Sequence, residues 1–315
     1  MPPLKIGNVT VHAGEVKRTV LRPVWRADGT AVEVPVVGMC GATDGPTLGV
    51  VACMHGDEYE GVAAIHRLMR EVPVQLMRGS VIAVPVIAVP AFEAGTRVSP
   101  HDLQDINRVF PGKAGGTSTE RIAHAFMTEI VPQCDAILDL HGGGFRGDIA
   151  PLVLVDADRY GQVREMTEAV GFDIIWKVKD ARGMGIGSML DVGKPAITVE
   201  VGGDGRSYPH AVDLHFEAVL NVMRHFRILS GEVKRPPKYF HVEGGFTRVG
   251  HGGFTMPIRK LHEEVEAGAP LVRVVDLFGD EVEVVRAPKA GIVCWVRTTP
   301  TVKPGDEVVI FGTAA

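Results

Sequence analysis

The chain has 315 residues, of which 45% are hydrophobic and 23% charged, and its formal net charge is 33 − 38 = −5. The composition is that of an ordinary globular protein, and the acidic balance gives no reason to expect a nucleic acid or an anionic membrane as partner. No run approaches the roughly 18 apolar residues that a membrane helix needs.

Residues 1–46 read as short strands and turns, with Thr19–Arg26 and Ala31–Val37 flanking the hairpin turn Ala27-Asp28-Gly29-Thr30. The opening MPPLKIGNVTVHAGEVKR lacks the apolar run of a secretory signal, so a cytoplasmic location is expected. The apolar run Val50-Val51-Ala52-Cys53-Met54 predicts a buried strand that ends on His55-Gly56-Asp57-Glu58. Val62, Ile65, Leu68 and Met69 then recur at helical spacing, which predicts a helix over 57–71. A strand follows at 80–88, then a polar segment with proline and glycine at 91–118, then a helix at 119–131 capped by Ser118 or Thr119.

Further strands are predicted at 136–140, 152–155, 174–178 and 195–201, with helices around 158–170 and 209–229. Alternating strands and helices imply an α/β fold, with a mixed, mostly parallel sheet covered by helices on both faces. Near residue 235 the character changes. LSGEVKRPPKYFHVEGG is rich in proline, glycine and charge, and beyond it come short β-like runs separated by turns. The expected division is a catalytic α/β domain over 1–235 and a small all-β barrel-like module over 236–315. Cys40, Cys53, Cys134 and Cys294 are widely spaced with no CxxC pair, which predicts buried reduced thiols rather than disulfides.

Three predicted strands stop on a residue able to do chemistry: Met54-His55, Leu140-His141 and Val199-Glu200. Parallel strands present their C-terminal ends on one edge of a sheet, so His55, Glu58, His141 and Glu200 can converge there. Two imidazoles and a carboxylate are a common ligand set for catalytic zinc, and a further carboxylate would take a proton from the attacking water. Against this, HxxE matches arise by chance, and glycines after a strand end are often simple turns. Spacing alone leaves both readings open.

HGDEYEG at 55–61, NRVFPG at 107–112, DLHGG at 139–143 and TVEVGG at 198–203 occur in this order. Together they resemble the succinylglutamate desuccinylase/aspartoacylase family of zinc carboxypeptidase-like amidohydrolases, over residues from about 45 to 230. The resemblance implies one Zn2+ per chain, held by His55, Glu58 and His141. It implies that Glu200 activates the zinc-bound water and then protonates the leaving amine. It further implies that Asn107 and Arg108 grip the substrate's α-carboxylate, and that Arg97 polarises the scissile carbonyl. Arginine suits such work, since its fork binds a carboxylate through two parallel charge-assisted hydrogen bonds. Asp105-Ile106 stands where many members carry Asn-Leu or Asp-Leu. Asp57 and Asp139 adjoin ligands and are candidates to orient them, although plain loop structure accounts for them equally well.

The segment 261–312 resembles a biotinyl/lipoyl-type barrel. Its expected hairpin, Asp276-Leu277-Phe278-Gly279-Asp280, has no carrier lysine, and Lys289 lies elsewhere, so covalent carriage is not expected. The resulting expectation is a zinc-dependent deacylase acting on a small N-acylated amino acid, with homo-oligomerisation left open. The alternatives are a zinc carboxypeptidase acting on peptides and a non-catalytic binding protein on the same fold.

Overall fold

A computed structural model describes residues 3–314. Its main sheet has 12 strands. At the centre, Arg78–Val84, Thr43–Ala52, Ala136–His141 and Ala196–Gly203 lie side by side and parallel. Where they pair side by side, as at Leu48–Ala52, Val81–Val84, Ala136–Leu138 and Ala196–Val199, these strands are almost wholly apolar and buried because helices cover both faces, which is what parallel pairing through crossovers produces. On one side the hairpin Val16–Trp25 and Ala31–Cys40 adds antiparallel strands. On the other, Gly147–Asp156 runs antiparallel to Ala196–Gly203, and Ile174–Val178 lies parallel to it. The sheet is therefore mixed, with continuous parallel pairing across its central four strands.

One face carries the helices Glu60–Glu71, Tyr160–Ala169 and Pro209–His225; the other carries Ser118–Ala125 and Gly185–Asp191. The first helix begins at Glu60, three residues later than the apolar period suggests, because Asp57 and Glu58 are needed in the turn before it. The helix predicted at 119–131 is capped by Thr117 rather than by Ser118 or Thr119. Thr117 accepts from Glu120 N while the Glu120 carboxylate accepts from Thr117 N, the reciprocal capping box. That helix also stops early: it widens into a π turn over Phe126–Ile130, followed by a 3-10 turn containing Pro132.

The sheet runs on past residue 235. Phe240–Arg248 pairs parallel with Ile174–Val178, Glu307–Ala314 pairs with Phe240–Arg248, and Gly291–Arg297 pairs with Glu307–Ala314. Gly291–Arg297 also pairs with Gly147–Asp156, so five strands close into a small barrel-like ring. A second sheet of four strands packs against it over Val249, Leu271, Val274, Val293 and Phe311. Asp276–Asp280 forms the expected hairpin tip between Pro270–Val275 and Glu281–Arg286. All four cysteines are free and buried. No helix among the described residues is long and apolar enough to cross a membrane.

Candidate active site

Register fixes where the strand ends lie. Ala52 pairs with Leu140, and His141 pairs with Glu200, so the three central strands finish on one edge of the sheet. Beyond Ala52 the chain turns sharply. Cys53 has φ 56°, an uncommon left-handed conformation for a non-glycine residue. Its thiol donates to the His55 carbonyl at 3.2 Å. Gly56 then lies so close to the helix Val89–Ala94 that an added Cβ would stand 2.0 Å from the Ala91 carbonyl carbon. Only glycine fits there, and the tight passage turns His55 and Glu58 inward.

His55, Glu58 and His141 are buried, and their ligand atoms lie within 4.8 Å of one another; they are the one such group among the described residues. His55 Nδ1 stands 2.7 Å from Glu58 Oε1, and His141 Nδ1 stands 2.9 Å from Glu58 Oε2. The opposite nitrogens are also engaged: His55 Nε2 with Asp105 Oδ1 at 3.2 Å, and His141 Nε2 with Asp139 Oδ2 at 2.9 Å. A neutral imidazole has one N–H and one lone pair. With each Nε2 donating to its aspartate, both Nδ1 lone pairs point at an anionic acceptor. Such an arrangement requires a proton or a cation between the groups. A divalent metal fits this donor set, and the aspartates supply the outer hydrogen bonds typical of metal-binding histidines.

The electrostatics say the same. Burial works to raise the Glu58 carboxyl, but the two imidazoles outweigh it and hold it well below the usual range. Burial works to lower His141, yet Asp139 and Glu58 outweigh it and raise the imidazole well above its usual value. In Glu200 burial prevails and pushes the carboxyl up to about 7.

The remaining expected residues surround this group unequally. Arg97 is half-exposed, with Nη1 3.6 Å from Glu58 Oε1 and Nη2 3.3 Å from Asp105 Oδ2, so it adjoins the donor set. Asn107 is buried, and its Oδ1 accepts from Gly185 N at 2.8 Å, which leaves its Nδ2 donors for other partners. Arg108 is exposed and donates from Nη1 to the Asn107 carbonyl at 2.7 Å. Among the other histidines, His251 faces Glu283 in the C-terminal sheet at 3.5 Å.

Two residues escaped the sequence reading. Asp105, noted there only as a variation, links three parts of the site: it accepts from Asn107 N at 2.8 Å and meets both His55 and Arg97. Its signal was the Asp-x-Asn spacing, which is that of an aspartate bonding the backbone two residues on. Glu60 is 1% exposed, and its Oε1 accepts from Gly203 N at 3.0 Å, tying the first helix to the turn after Glu200. Burial pushes its carboxyl up to about 7.

Fold and site together define an α/β protein that presents a His-Glu-His donor set at the C-terminal edge of its sheet. Residues 44–226 match the succinylglutamate desuccinylase/aspartoacylase catalytic domain, and the chain belongs to that family. It is 32% identical over 294 residues to the N-alpha-acetyl-L-2,4-diaminobutyric acid deacetylase of Halomonas elongata, covering 89% of this chain and 86% of that one. A product-bound structure of the ectoine utilization protein EutE (DoeB) from Ruegeria pomeroyi superposes with TM-score 0.88 at 29% identity, covering 99% of each chain. A succinylglutamate desuccinylase from Silicibacter sp. TM1040 superposes with TM-score 0.87 at 27% identity, covering 100% of this chain and 99% of that one. The chain is an amidohydrolase.

Proposed function

We propose that the chain is a zinc-dependent deacylase that cleaves the amide of a small N-acyl amino acid, with Nα-acetyl-L-2,4-diaminobutyrate the first candidate substrate. The observation that carries the metal reading is the pair of Nδ1 atoms turned onto one carboxylate while Asp105 and Asp139 hold both Nε2 atoms. The candidate substrate rests on the extended identity to the Halomonas elongata deacetylase.

His55, Glu58 and His141 hold the zinc. When bound, zinc supplies Lewis acidity, polarising a carbonyl oxygen and making water a better nucleophile at neutral pH. Glu200 takes the proton from the attacking water and passes it to the amine as the C–N bond breaks. Burial, which raises this carboxyl above its ordinary range, suits it to both directions of that transfer. Arg97, already beside Glu58, offers its guanidinium to the oxygen of the scissile carbonyl as negative charge gathers there. The exposed Arg108 fork and the Asn107 Nδ2 donors bind the substrate's α-carboxylate. The products are a carboxylate and a free amino acid.

The test is a hydrolysis screen of N-acyl amino acids in which acyl group and side chain are varied independently. Turnover of an acetylated or succinylated amino acid, with little on peptides, supports the reading. Cleavage of peptides alone overturns it in favour of a carboxypeptidase.

A further inference from the structure

The loop that leaves His141, Gly142-Gly143-Gly144-Phe145-Arg146-Gly147, touches the ligand set directly. Gly142 N donates to Glu58 Oε2 at 3.2 Å, and Phe145 N donates to Asp57 Oδ2 at 2.8 Å. It is also tied to the turn after Glu200, since Gly143 N donates to the Gly202 carbonyl at 2.8 Å and Asp204 N to the Gly147 carbonyl at 2.9 Å. Six residues with four glycines have little intrinsic reason to hold one conformation, because glycine loses more backbone freedom on ordering than any other residue. Something outside the loop has to fix it.

The C-terminal residues do so. Strand Gly291–Arg297 pairs with the far end of the loop, Arg297 opposite Gly147 and Trp295 opposite Ile149. Trp295 is buried, and its Nε1 donates to the Gly143 carbonyl at 3.3 Å. Its indole lies directly on Gly147, where an added Cβ would stand 2.1 Å from the ring. Phe246 meets the indole edge to face at 5.9 Å. A second tether follows three residues on, where Thr298 N donates to the Arg146 carbonyl at 2.9 Å. The buried Arg297 between them braces this turn, its guanidinium donating to the carbonyls of Thr299, Thr301 and Glu307.

We infer that Trp295 is a positioning residue for the metal site: by holding the Gly143 carbonyl and packing on Gly147, it fixes the loop that follows His141 and donates to Glu58. The inference rests on the metal-site reading above. It gives the C-terminal strands a defined part in the active site, acting on ligand geometry through a chain of two hydrogen bonds, Trp295 to Gly143 and Gly142 to Glu58. Indole removal is felt at the metal, whereas a change that merely loosens C-terminal packing is not.

The test measures zinc affinity of the full chain by competition with a chromophoric chelator, together with the visible spectrum of the cobalt(II)-substituted protein. Trp295→Phe keeps an aromatic ring and deletes the N–H donor; Thr298→Pro deletes the second donor; Phe246→Leu alters the ring's outer contact and leaves the loop bonds intact. Trp295→Phe is expected to weaken zinc binding by roughly three- to tenfold, less than the loss of a group bonded directly to a ligand because it acts one bond further out, and to alter the cobalt spectrum. Thr298→Pro is expected to shift both in the same direction, and Trp295→Tyr, which also lacks the indole N–H, takes the place of Trp295→Phe if that variant does not fold. Phe246→Leu leaves both at wild-type values. Wild-type zinc affinity and cobalt spectrum in the folded donor-deletion variants overturn the inference while leaving the metal site standing, as does an equal loss in Phe246→Leu. A wild-type chain that binds no zinc overturns the metal reading and this inference with it.

Discussion

Glu200 and His141 occupy paired positions on neighbouring parallel strands, so their side chains rise from the same face of the sheet at its C-terminal edge. Adjacent strands stand about 4.8 Å apart, which places the proposed base beside a proposed ligand through backbone register alone. Glu200→Gln keeps the shape and removes the proton acceptor. Its turnover is expected to fall by roughly 10²- to 10⁴-fold, with zinc content unchanged when both are measured on one preparation. The base must be ionised, so activity declines as pH falls through its pKa. Burial sets that pKa at about 7, and a cation bound nearby favours the carboxylate, so the acid limb lies at or below pH 7. Near wild-type turnover in Glu200→Gln removes it from the mechanism.

In the proposed zinc site, Asp139 acts through His141. Its Oδ2 stands 2.9 Å from His141 Nε2, and in the tautomer that donates from Nε2 the Nδ1 lone pair is free for a cation. Asp139→Asn is expected to weaken zinc binding about 10- to 100-fold, and His141→Ala to abolish it. In the wild type, zinc binding weakens as pH falls, because protons compete for the same nitrogens. Chelator competition at several pH values measures all three, and unchanged zinc occupancy in His141→Ala takes that residue out of the ligand set.

The proposed roles of the two arginines are separable by kinetics. Arg97 spans Glu58 and Asp105 with different nitrogens of one planar fork, a geometry lysine cannot reproduce. Arg97→Lys is expected to lower kcat by about 10²-fold or more while changing KM little. Arg108→Ala is expected to raise KM by about 10- to 100-fold, the loss of a charge-assisted contact of about 1.5–3 kcal/mol. If the two variants show the same pattern, the assigned division of labour is wrong.

Glu60 is expected to make stability depend on pH. Burial raises its carboxyl from an ordinary 4.5 to about 7, so its contribution is fully present below about 4.5 and lost as pH rises through 7. Glu60→Gln retains an acceptor for Gly203 N and cannot ionise. Its metal-free form is expected to gain on the order of 1–3 kcal/mol relative to wild type at pH 8, with little difference at pH 4.5. Denaturant unfolding at the two pH values checks this, and an equal difference at both means that ionisation of Glu60 is not the cause.

Much of the candidate site was legible because three of the four central strands are apolar runs broken abruptly by His-Gly-Asp-Glu, His-Gly-Gly or Glu-Val-Gly-Gly, and parallel pairing sends such breaks to one edge. Local signals failed where tertiary structure decides. The helix Gly185–Asp191 begins Gly-Ile-Gly, and is held by Asn107 accepting from Gly185 N rather than by its own propensity. The pairing of Trp295 with Ile149 joins residues far apart in sequence, and neither strand's periodicity names its partner. Asp105 sits in a polar turn whose Asp-x-Asn spacing signals the turn alone, and its simultaneous contacts with His55, Asn107 and Arg97 reveal its place in the site.

The most direct test of the central claim is metal content by mass spectrometry on chelator-free protein, paired with hydrolysis of Nα-acetyl-L-2,4-diaminobutyrate before metal removal, after it, and after zinc is restored. Close to one zinc per chain, loss of hydrolysis on removal and its return on reconstitution are expected. Protein that carries no zinc when purified, takes none up and hydrolyses the amide undiminished would contradict that claim.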